Sequence, residues 1–359
     1  MDILFFTLRD VKHPKAGGAE LAHNEIMKRL NKKGHNIVQF TSSFNGAKER
    51  EVSEGKKVFR KGNKFTVYLK AKKFYKESKF NFDLIIDEWH TTGPFHAPEF
   101  TTEPTVLLVH MIPRELWDLL LPKPVGYIMK NFVEKIWLYK NKEIPTITFS
   151  DSTVSKLKKF GFKNVEKVPL GTNLERNASI KNDEEKVILF LGKISKRKGA
   201  ADALEAFKII ENKLKSRLRM EVAGDGPMLP RLKSKFSERN INFHGYVSEK
   251  KKEKLLEKSD LILVPSKREN WCLVVTEANS KATPALGYDI PGLRDSINHG
   301  RTGILTNPNP LDLSKKALKL LRNKKLLKRI SENALRDSKK YQWDKSAEIF
   351  ERKIKEILP

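Results

Sequence analysis

Two glutamates in the stretch Ser266–Leu305 have the chemistry and spacing to hold a sugar-containing ligand. Glu269 and Glu277 stand eight residues apart, as E-x7-E, where a loop leads into a helix pattern. With Glu269 just before that helix, a rise of about 1.5 Å per residue separates the two acids by roughly 12 Å. Carboxylates offer only acceptor oxygens, which suit vicinal hydroxyls, and a helix N-terminus between them favours an anion. The pattern favours a nucleotide sugar, although two acids at this spacing are also typical of a solvated helix face.

A run of cations precedes a second predicted helix. The run from Lys193 to Gly199 contains four cations and follows the apolar strand pattern Lys186–Gly192. The helix pattern from Ala200 to about Leu214 comes directly after it. Cations at a helix N-terminus add to the partial positive charge of the helix dipole. The run therefore predicts an anion-binding site.

The N-terminal segment reads as strand, glycine loop, helix and strand. Its glycines, Gly17 and Gly18, precede a helix pattern from about Ala19 to Lys33, which ends at Gly34. Paired glycines allow backbone N–H groups to approach a ligand closely. An ordinary loop before a helix has the same appearance, so the pattern alone leaves both interpretations open.

His110 follows the strand-like run Thr105–Val109. Ligands bind beyond the carboxyl ends of parallel strands, which makes His110 a candidate, although a lone histidine is more often structural. Four further residues are potential metal ligands whose spacing fits no known site, and we interpret them as loop residues: Glu88, His90, His96 and Glu99. The sequence thus predicts no metal site.

The strand and helix patterns alternate in two successive series, which predicts an α/β protein with two Rossmann-like domains. Its 359 residues also favour two domains. We expect an N-terminal domain at residues 1–168, a second domain at 169–340, and a C-terminal helix at 341–359 that packs back on the first domain. A polar stretch, Leu174–Glu185, precedes the first strong strand of the second series.

Composition restricts the location of the protein. The sequence contains no run of 18 apolar residues, and its N-terminus lacks the basic region of a signal peptide. The single cysteine, Cys272, excludes an intrachain disulfide and fits a reducing compartment. We therefore expect a cytoplasmic protein.

The net charge of +27 fits three kinds of surface: one that binds nucleic acid, one that binds an anionic membrane, or a lysine-rich solvated exterior. The stretch Lys56–Lys79 is the densest part, with ten basic residues against the lone Glu77, and aromatic residues interleave there. That pattern is typical of an amphipathic strand and helix. It also permits peripheral contact with anionic lipid.

Ordered motifs along nearly the whole chain resemble the family-4 glycosyltransferases of the GT-B fold, in which two Rossmann-like domains face a central cleft. The motifs that carry the resemblance are Gly17-Gly18-Ala19-Glu20, Lys33-Gly34-His35, Ser150-Asp151-Ser152, Pro169-Leu170-Gly171, Gly192-Lys193 with Lys198-Gly199, Gly224-Asp225-Gly226-Pro227, His244-Gly245-Tyr246, the E-x7-E pair, and Asp344 in the last helix.

The resemblance implies a retaining transfer of a sugar from a UDP- or GDP-type donor. It implies that His110 lies by the transferred sugar, that Lys193 and Lys198 hold the diphosphate, and that Glu269 and Glu277 bind the sugar and the ribose. The remaining residues that it places around the donor are Gly17, Gly18, Gly224, Gly245, Tyr246, Val247, Asn270, Trp271, Cys272 and Leu273. The absence of a D-x-D sequence fits transfer without a metal ion or other cofactor.

Four positions depart from the family pattern. Asn270 and Cys272 stand where the family has glycines beside the first acid, Ala282 replaces a glycine, and Lys193 replaces an arginine. Added side chains could occupy space for the donor, and lysine lacks the bidentate fork of arginine. A catalytically weakened nucleotide-sugar-binding protein is therefore the alternative, and a nucleic-acid binder, suggested by charge alone, is a third.

The expected partners follow from the resemblance and the charge. They are a nucleotide-sugar donor, a glycan or lipid-linked acceptor, and an anionic membrane at the inner surface as a peripheral contact. No nucleic acid is expected.

Overall fold

The computed structural model describes residues 1–177, 185–214 and 217–358. The chain divides into two compact units. Unit 1 comprises Met1–Leu170 and Trp343–Pro359, and unit 2 comprises Gly171–Gln342. Part of the predicted linker Leu174–Glu185 lies outside the described residues.

Unit 1 is built on a sheet of eight strands. In chain order they are β1 Asp2–Phe6, β2 Asn36–Thr41, β3 Arg50–Ser53, β4 Lys56–Arg60, β5 Leu84–Trp89, β6 Thr105–Val109, β7 Thr146–Thr148 and β8 Val165–Lys167. The spatial order is β3-β4-β2-β1-β5-β6-β7-β8, in which only β3 pairs antiparallel. Strands β5 and β6 are almost wholly buried, as expected for parallel strands covered on both faces. The chain reverses its direction of winding between β1 and β5, where sheets of this kind bind ligands.

The helices of unit 1 connect and cover these strands. They are α1 Gly18–Lys32, α2 Val67–Glu77, α3 Trp117–Leu120, α4 Lys123–Ile128, α5 Glu134–Asn141 and α6 Asp151–Lys159, with single 3₁₀ turns at Ala97–Glu99 and Arg114–Leu116. A π-helical turn, Met129–Val133, joins α4 directly to α5. The stretch Lys56–Lys79 forms β4 and α2, as the strand–helix pattern predicted.

Unit 2 contains a sheet of six strands whose pairs are all parallel. In chain order they are β9 Glu185–Leu191, β10 Arg217–Ala223, β11 Ile241–Gly245, β12 Leu261–Val264, β13 Ala285–Tyr288 and β14 Gly303–Thr306. The spatial order, β11-β10-β9-β12-β13-β14, is that of a dinucleotide-binding fold and reverses between β9 and β12. Its helices are α7 Ala200–Glu211, α8 Leu229–Lys235, α9 Glu249–Lys258, α10 Leu273–Ser280, α11 Pro291–Ser296, α12 Pro310–Arg322 and α13 Lys324–Ser338.

The last helix, α14 Trp343–Ile357, belongs to unit 1 and packs on α1. Its apolar stripe buries Ala347, Phe350 and Ile354. Salt bridges from Arg29 to Asp344, at 2.6 Å, and from Lys33 to Glu351, at 2.8 Å, border the contact. An amphipathic helix of this kind gains most of its stability by burying its apolar stripe.

None of the described helices combines the length and the apolar character that a bilayer crossing requires.

Lys56 in β4 is expected to make the stability of unit 1 dependent on pH. Its side chain is buried and donates a hydrogen bond to Asn24 Oδ1. Burial disfavours the ammonium ion and lowers the pKa of Lys56 from 10.5 to about 8. The unfolded chain therefore binds more protons than the folded chain between these pH values. We expect the free energy of unfolding to rise across that window, by about 1–3 kcal/mol.

Urea unfolding at a series of pH values tests this expectation. In Lys56→Met this contribution to the pH dependence should be lost, whereas Lys57→Met, at an exposed neighbouring position, should follow the wild type. Parallel stability curves for wild type and Lys56→Met would contradict the expectation.

Candidate functional site

In unit 2, the loops that follow β9 and β12 lie against each other at the reversal of the sheet. Lys267 N donates to Arg197 O at 2.8 Å, and Arg197 Nη1 donates to Arg268 O at 3.2 Å. Gly199 has a φ of +70°, and a Cβ there would lie 2.0 Å from Pro265 O. Only glycine permits this approach. The fold thus brings the predicted cation run together with the loop that carries the first predicted acid.

Lys198 and Glu269 form the central contact between these loops. Lys198 Nζ donates to Glu269 Oε1 at 2.5 Å, and Arg197 Nη1 lies 4.0 Å from Glu269 Oε2. The Glu269 side chain is only 6% exposed, so its charge is balanced mainly by these cations. Hydrogen bonds with two charged partners are stronger than neutral ones. The pair places an acceptor for hydroxyl groups directly beside a cation that can bind a phosphate.

Lys193 lies at the other end of the same loop, just after β9. It is exposed and forms no salt bridge within the described residues. The loop leads into α7, a helix of 12 residues whose first N–H groups are available to an anion. Lys193, Lys198 and the N-terminal end of α7 together provide the positive electrostatic environment that the sequence predicted.

The predicted glycines mark the ends of neighbouring strands. Gly224 N donates to Gly245 O at 2.7 Å. Gly224 has a φ of +137°, and a Cβ there would lie 1.9 Å from Gly192 O, so the close approach of the two loops requires glycine. After Gly245, Tyr246 is exposed and Val247 packs against the core of unit 2. These residues therefore lie at the carboxyl edge of the sheet, beside β9.

Glu277 is held within α10 and faces α9. Its carboxylate accepts a hydrogen bond from Lys252 Nζ at 2.7 Å. Burial raises the pKa of Glu277, and the Lys252 ammonium opposes that shift. The two predicted acids thus each have a lysine partner, but the two lysines come from different elements.

Between Glu269 and Glu277, some side chains bond to neighbouring residues and others are buried in the core. Trp271 Nε1 donates to Thr276 Oγ1 at 3.0 Å. Cys272 is part of the buried core of unit 2, and burial raises the pKa of its thiol to about 12. We expected the side chains of Asn270 and Cys272 to occupy space for a donor. For Cys272 the structure differs, because its side chain is turned into the core. Leu273 begins α10.

Ala282 follows α10 with a φ of +54°, in the left-handed region that glycine adopts without strain. This backbone conformation explains why a glycine suits the position, independently of any contact with a ligand.

In unit 1, the candidate His110, the rejected Glu88 and a third residue, His23, converge at the reversal between β1 and β5. His110 Nε2 lies 3.1 Å and His23 Nδ1 lies 3.2 Å from Glu88 Oε1. Burial would raise the pKa of Glu88, but the two imidazoles outweigh burial and hold that pKa well below its usual range. The three ligand atoms lie within 4.8 Å of one another and could hold a metal ion, since two histidines and a carboxylate form a zinc-binding set.

A second layer of charge surrounds this cluster. Glu20 accepts a hydrogen bond from Gly17 N at 2.8 Å and forms a salt bridge with Arg9 at 2.9 Å. His90 Nε2 lies 2.6 Å from Arg9 Nη2. Burial would raise the pKa of Glu20, but His90 and Arg9 lower it to about 2. The predicted residues Gly17, Gly18 and His110 therefore belong to one polar region at the carboxyl edge of the sheet.

The interpretation of Glu88 as a loop residue is wrong. Strand β5 extends through Asp87 and Glu88 to Trp89, and both acids are fully buried. The apolar run in the sequence stops at Ile86, and charged residues are rare in buried strands, so the pattern gives no sign that the strand continues. His23 was also missed, although it occupies the buried face of α1 at helical spacing from Ile26 and Met27.

Comparison with known proteins places these sites in a family context. Residues 172–337, nearly all of unit 2, match the model of the family described as Glycosyl transferases group 1. An uncharacterized glycosyltransferase of Methanocaldococcus jannaschii, MJ1178, is 27% identical over 161 residues, which are 44% of this chain and 44% of that protein. The chain thus spans less than half the length of this curated relative.

Solved structures resemble the whole chain. Sucrose-phosphate synthase from Thermosynechococcus elongatus has a TM-score of 0.83 at 16% identity, with coverage of 99% of this chain and 98% of that one. Anabaena Alr3699/HepE in complex with UDP-glucose has a TM-score of 0.74 at 15% identity, with coverage of 99% and 100%. The chain therefore has the predicted GT-B fold of two Rossmann-like domains, and its second unit matches the glycosyl transferases group 1 family.

Proposed function

We propose that this protein is a glycosyltransferase that moves a sugar from a nucleoside-diphosphate sugar of the UDP or GDP type to an acceptor hydroxyl. The contact between Lys198 and Glu269 is the observation that carries the proposal, because it joins a cation of the type that binds phosphate to an acid of the type that binds hydroxyls. The match of unit 2 to a glycosyltransferase family and the UDP-glucose bound in a protein of the same fold support it.

The proposed reaction retains the anomeric configuration. The acceptor oxygen forms a bond to the anomeric carbon on the face that the diphosphate leaves, while the bond from that carbon to the phosphate oxygen breaks. The acceptor proton passes to the departing phosphate oxygen. Lys193, Lys198 and the N-terminal end of α7 stabilise the negative charge that develops on this phosphate. In this proposal they replace a metal ion, so the reaction needs none.

The remaining predicted residues have assigned parts in the proposal. Glu269 binds hydroxyls of the transferred sugar and Glu277 binds the ribose, while the backbone from Gly245 to Val247 lies near the base. Gly17 and Gly18 approach the donor phosphates, and His110 lies by the transferred sugar. The buried contact of His110 with Glu88 supports a fixed orientation for its ring.

The proposed acceptor is a glycan or a lipid-linked saccharide, and the proposed location is the cytoplasm, with peripheral contact at the inner membrane surface. The large positive charge supports an anionic surface as partner.

A donor screen tests the proposal. Thermal unfolding of the protein is measured with UDP, GDP and a panel of UDP- and GDP-sugars, and each stabilising donor is then assayed for release of the diphosphate with and without EDTA. We expect one nucleotide class to raise Tm and its sugar to be consumed equally in both conditions.

Other outcomes of this screen would favour one of the alternative functions or contradict metal independence. Stabilisation by a nucleotide sugar without turnover would favour the catalytically weakened binding protein. Loss of turnover in EDTA that is restored by zinc would contradict metal independence and implicate the His23, Glu88 and His110 cluster. Tight binding of nucleic acid that falls steeply with salt, without any response to nucleotide sugars, would favour the third function.

A further inference from the structure

Large apolar side chains line the solvent side of the continuous helical segment Lys123–Asn141. They recur every three or four residues, with exposed fractions from 45% to 71%. We call these five residues the apolar stripe: Val125, Ile128, Phe132, Ile136 and Tyr139. The other exposed large apolar residues of unit 1 include Val52, Phe65 and Leu69, in or near β3 and α2. A contiguous exposed apolar surface of this kind marks an interaction site.

The opposite side of the segment is fixed to the body of unit 1. Glu134 accepts hydrogen bonds from Trp117 Nε1 at 2.8 Å and from Arg114 N at 2.7 Å. A Cβ on Gly126 would lie 2.9 Å from Trp117 O, so the helix approaches the preceding segment as closely as a glycine allows. Leu138 is buried in the core behind it. These contacts hold the apolar stripe towards solvent.

Lysines flank the apolar stripe, and those without an acidic partner make its border positive. They are Lys123, Lys130, Lys135, Lys140 and Lys142. Lys130 pairs with Asp118 at 2.8 Å, and Lys140 pairs with Glu99 at 2.9 Å. Lys123 and Lys135 are exposed and have no salt-bridge partner among the described residues. Within the segment itself the only acid is Glu134, which is buried. An apolar helix face bordered by lysines has the character of a helix that lies in the interface of an anionic membrane.

The basic stretch Lys56–Lys79 offers a weaker surface. Its aromatic residues Phe59, Tyr68, Phe74 and Tyr75 pack against the core of unit 1, which leaves Phe65 and Leu69 as its exposed apolar side chains. The basic aromatic stretch that suggested lipid contact in the sequence is therefore mainly an amphipathic strand and helix. The larger apolar surface lies on Lys123–Asn141.

We propose that the apolar stripe of Lys123–Asn141 docks unit 1 on the surface of a membrane that contains anionic lipid. The apolar side chains enter the interface between headgroups and acyl chains, and the flanking lysines lie at the level of the phosphates. The docking is independent of the proposed transferase activity, because no donor-binding residue takes part in it.

Co-flotation of the full chain with vesicles tests this proposal. We expect binding to vesicles of equimolar phosphatidylcholine and phosphatidylglycerol, and little binding to phosphatidylcholine alone. The variant Ile128→Ser/Phe132→Ser/Ile136→Ser should lower the partition coefficient at least about tenfold, because three apolar side chains no longer enter the interface. A matched variant, Val52→Ser/Phe65→Ser/Leu69→Ser, should bind as the wild type does.

Both variants should fold, because all six substituted positions are exposed. Circular dichroism and thermal unfolding check this. Equal vesicle binding by the wild type and the stripe variant would overturn the proposal, as would no binding by the wild type. The proposal would also be overturned if sedimentation velocity showed the wild type as a dimer and the stripe variant as a monomer. A second copy of the chain would then cover the apolar stripe. If no donor in the screen described above bound to the protein, the proposed function would fail, but the vesicle-binding result would still test the docking proposal.

Discussion

Lys198→Ala is expected to lower kcat/KM for sugar transfer about 10²–10³-fold, the size of effect seen when one preorganised electrostatic contact to a developing charge is removed. In the structure Lys198 is bound to Glu269, so the substitution removes the cation that is proposed to bind the phosphate and also releases the acid that is proposed to bind the sugar. Diphosphate release under steady-state conditions measures the effect. Glu269→Ala should cause a loss of similar order through the sugar hydroxyls.

The matched control is Lys196→Ala, in the same loop. Lys196 is exposed and has no salt bridge among the described residues, and it is not one of the proposed donor-binding residues. Its substitution should change kcat/KM less than about threefold, because an exposed charge acts mainly through the screened long-range field. Equal turnover by wild type, Lys198→Ala and Glu269→Ala would contradict the proposed site. Thermal unfolding of each variant separates a loss of activity from a loss of folded protein.

Arg60→Leu is expected to lower the stability of unit 1 by about 3–5 kcal/mol, the range for breaking a buried ion pair on one side. The side chain of Arg60 is only 2% exposed. It binds Asp10 through Nε, Glu51 through Nη2 at 2.6 Å, and Lys48 O through Nη1 at 3.1 Å. Leucine would leave the buried Asp10 carboxylate without its main counter-charge. Urea unfolding followed by circular dichroism measures the loss, with the transitions of the two units fitted separately.

A second arginine provides the control for this prediction. Arg294 in α11 pairs with Asp289 at 2.6 Å, but both side chains are largely exposed. Arg294→Leu should therefore change the free energy of unfolding by less than about 1 kcal/mol. The double variant Arg60→Leu/Asp10→Asn should recover part of the loss, since the unpaired charge is removed. Equal effects of Arg60→Leu and Arg294→Leu would show that burial does not set the strength of the Arg60 contact.

The fold class and much of the element order could be predicted from the amino-acid sequence. Apolar runs such as Lys186–Gly192 alternate with amphipathic helix patterns, and only parallel sheets covered on both faces require strands that are apolar on both sides. The buried stripe of the last helix could also be predicted, because the helical period places Ala347, Phe350 and Ile354 on one face. The joining of Lys198 to Glu269 was predictable only through the ordered motifs, since 71 residues separate them.

The neighbours of the functional side chains could not be predicted from the sequence, because they come from elements far apart along the chain. Glu88 interrupts an apolar pattern in β5, and only the approach of His23 and His110 from two other elements shows how a buried carboxylate is tolerated there.

The segment Lys123–Asn141 is a second case in which the sequence pattern does not predict the packing. Its apolar residues predict a helix, and a periodic apolar face ordinarily packs inward. Here Glu134, Leu138 and Gly126 occupy the inward face, and the apolar stripe remains in solvent. The period of a sequence determines which residues share a face. The partners available in three dimensions decide which face is buried: here hydrogen bonds to Glu134 and close packing at Gly126 hold the opposite face against unit 1.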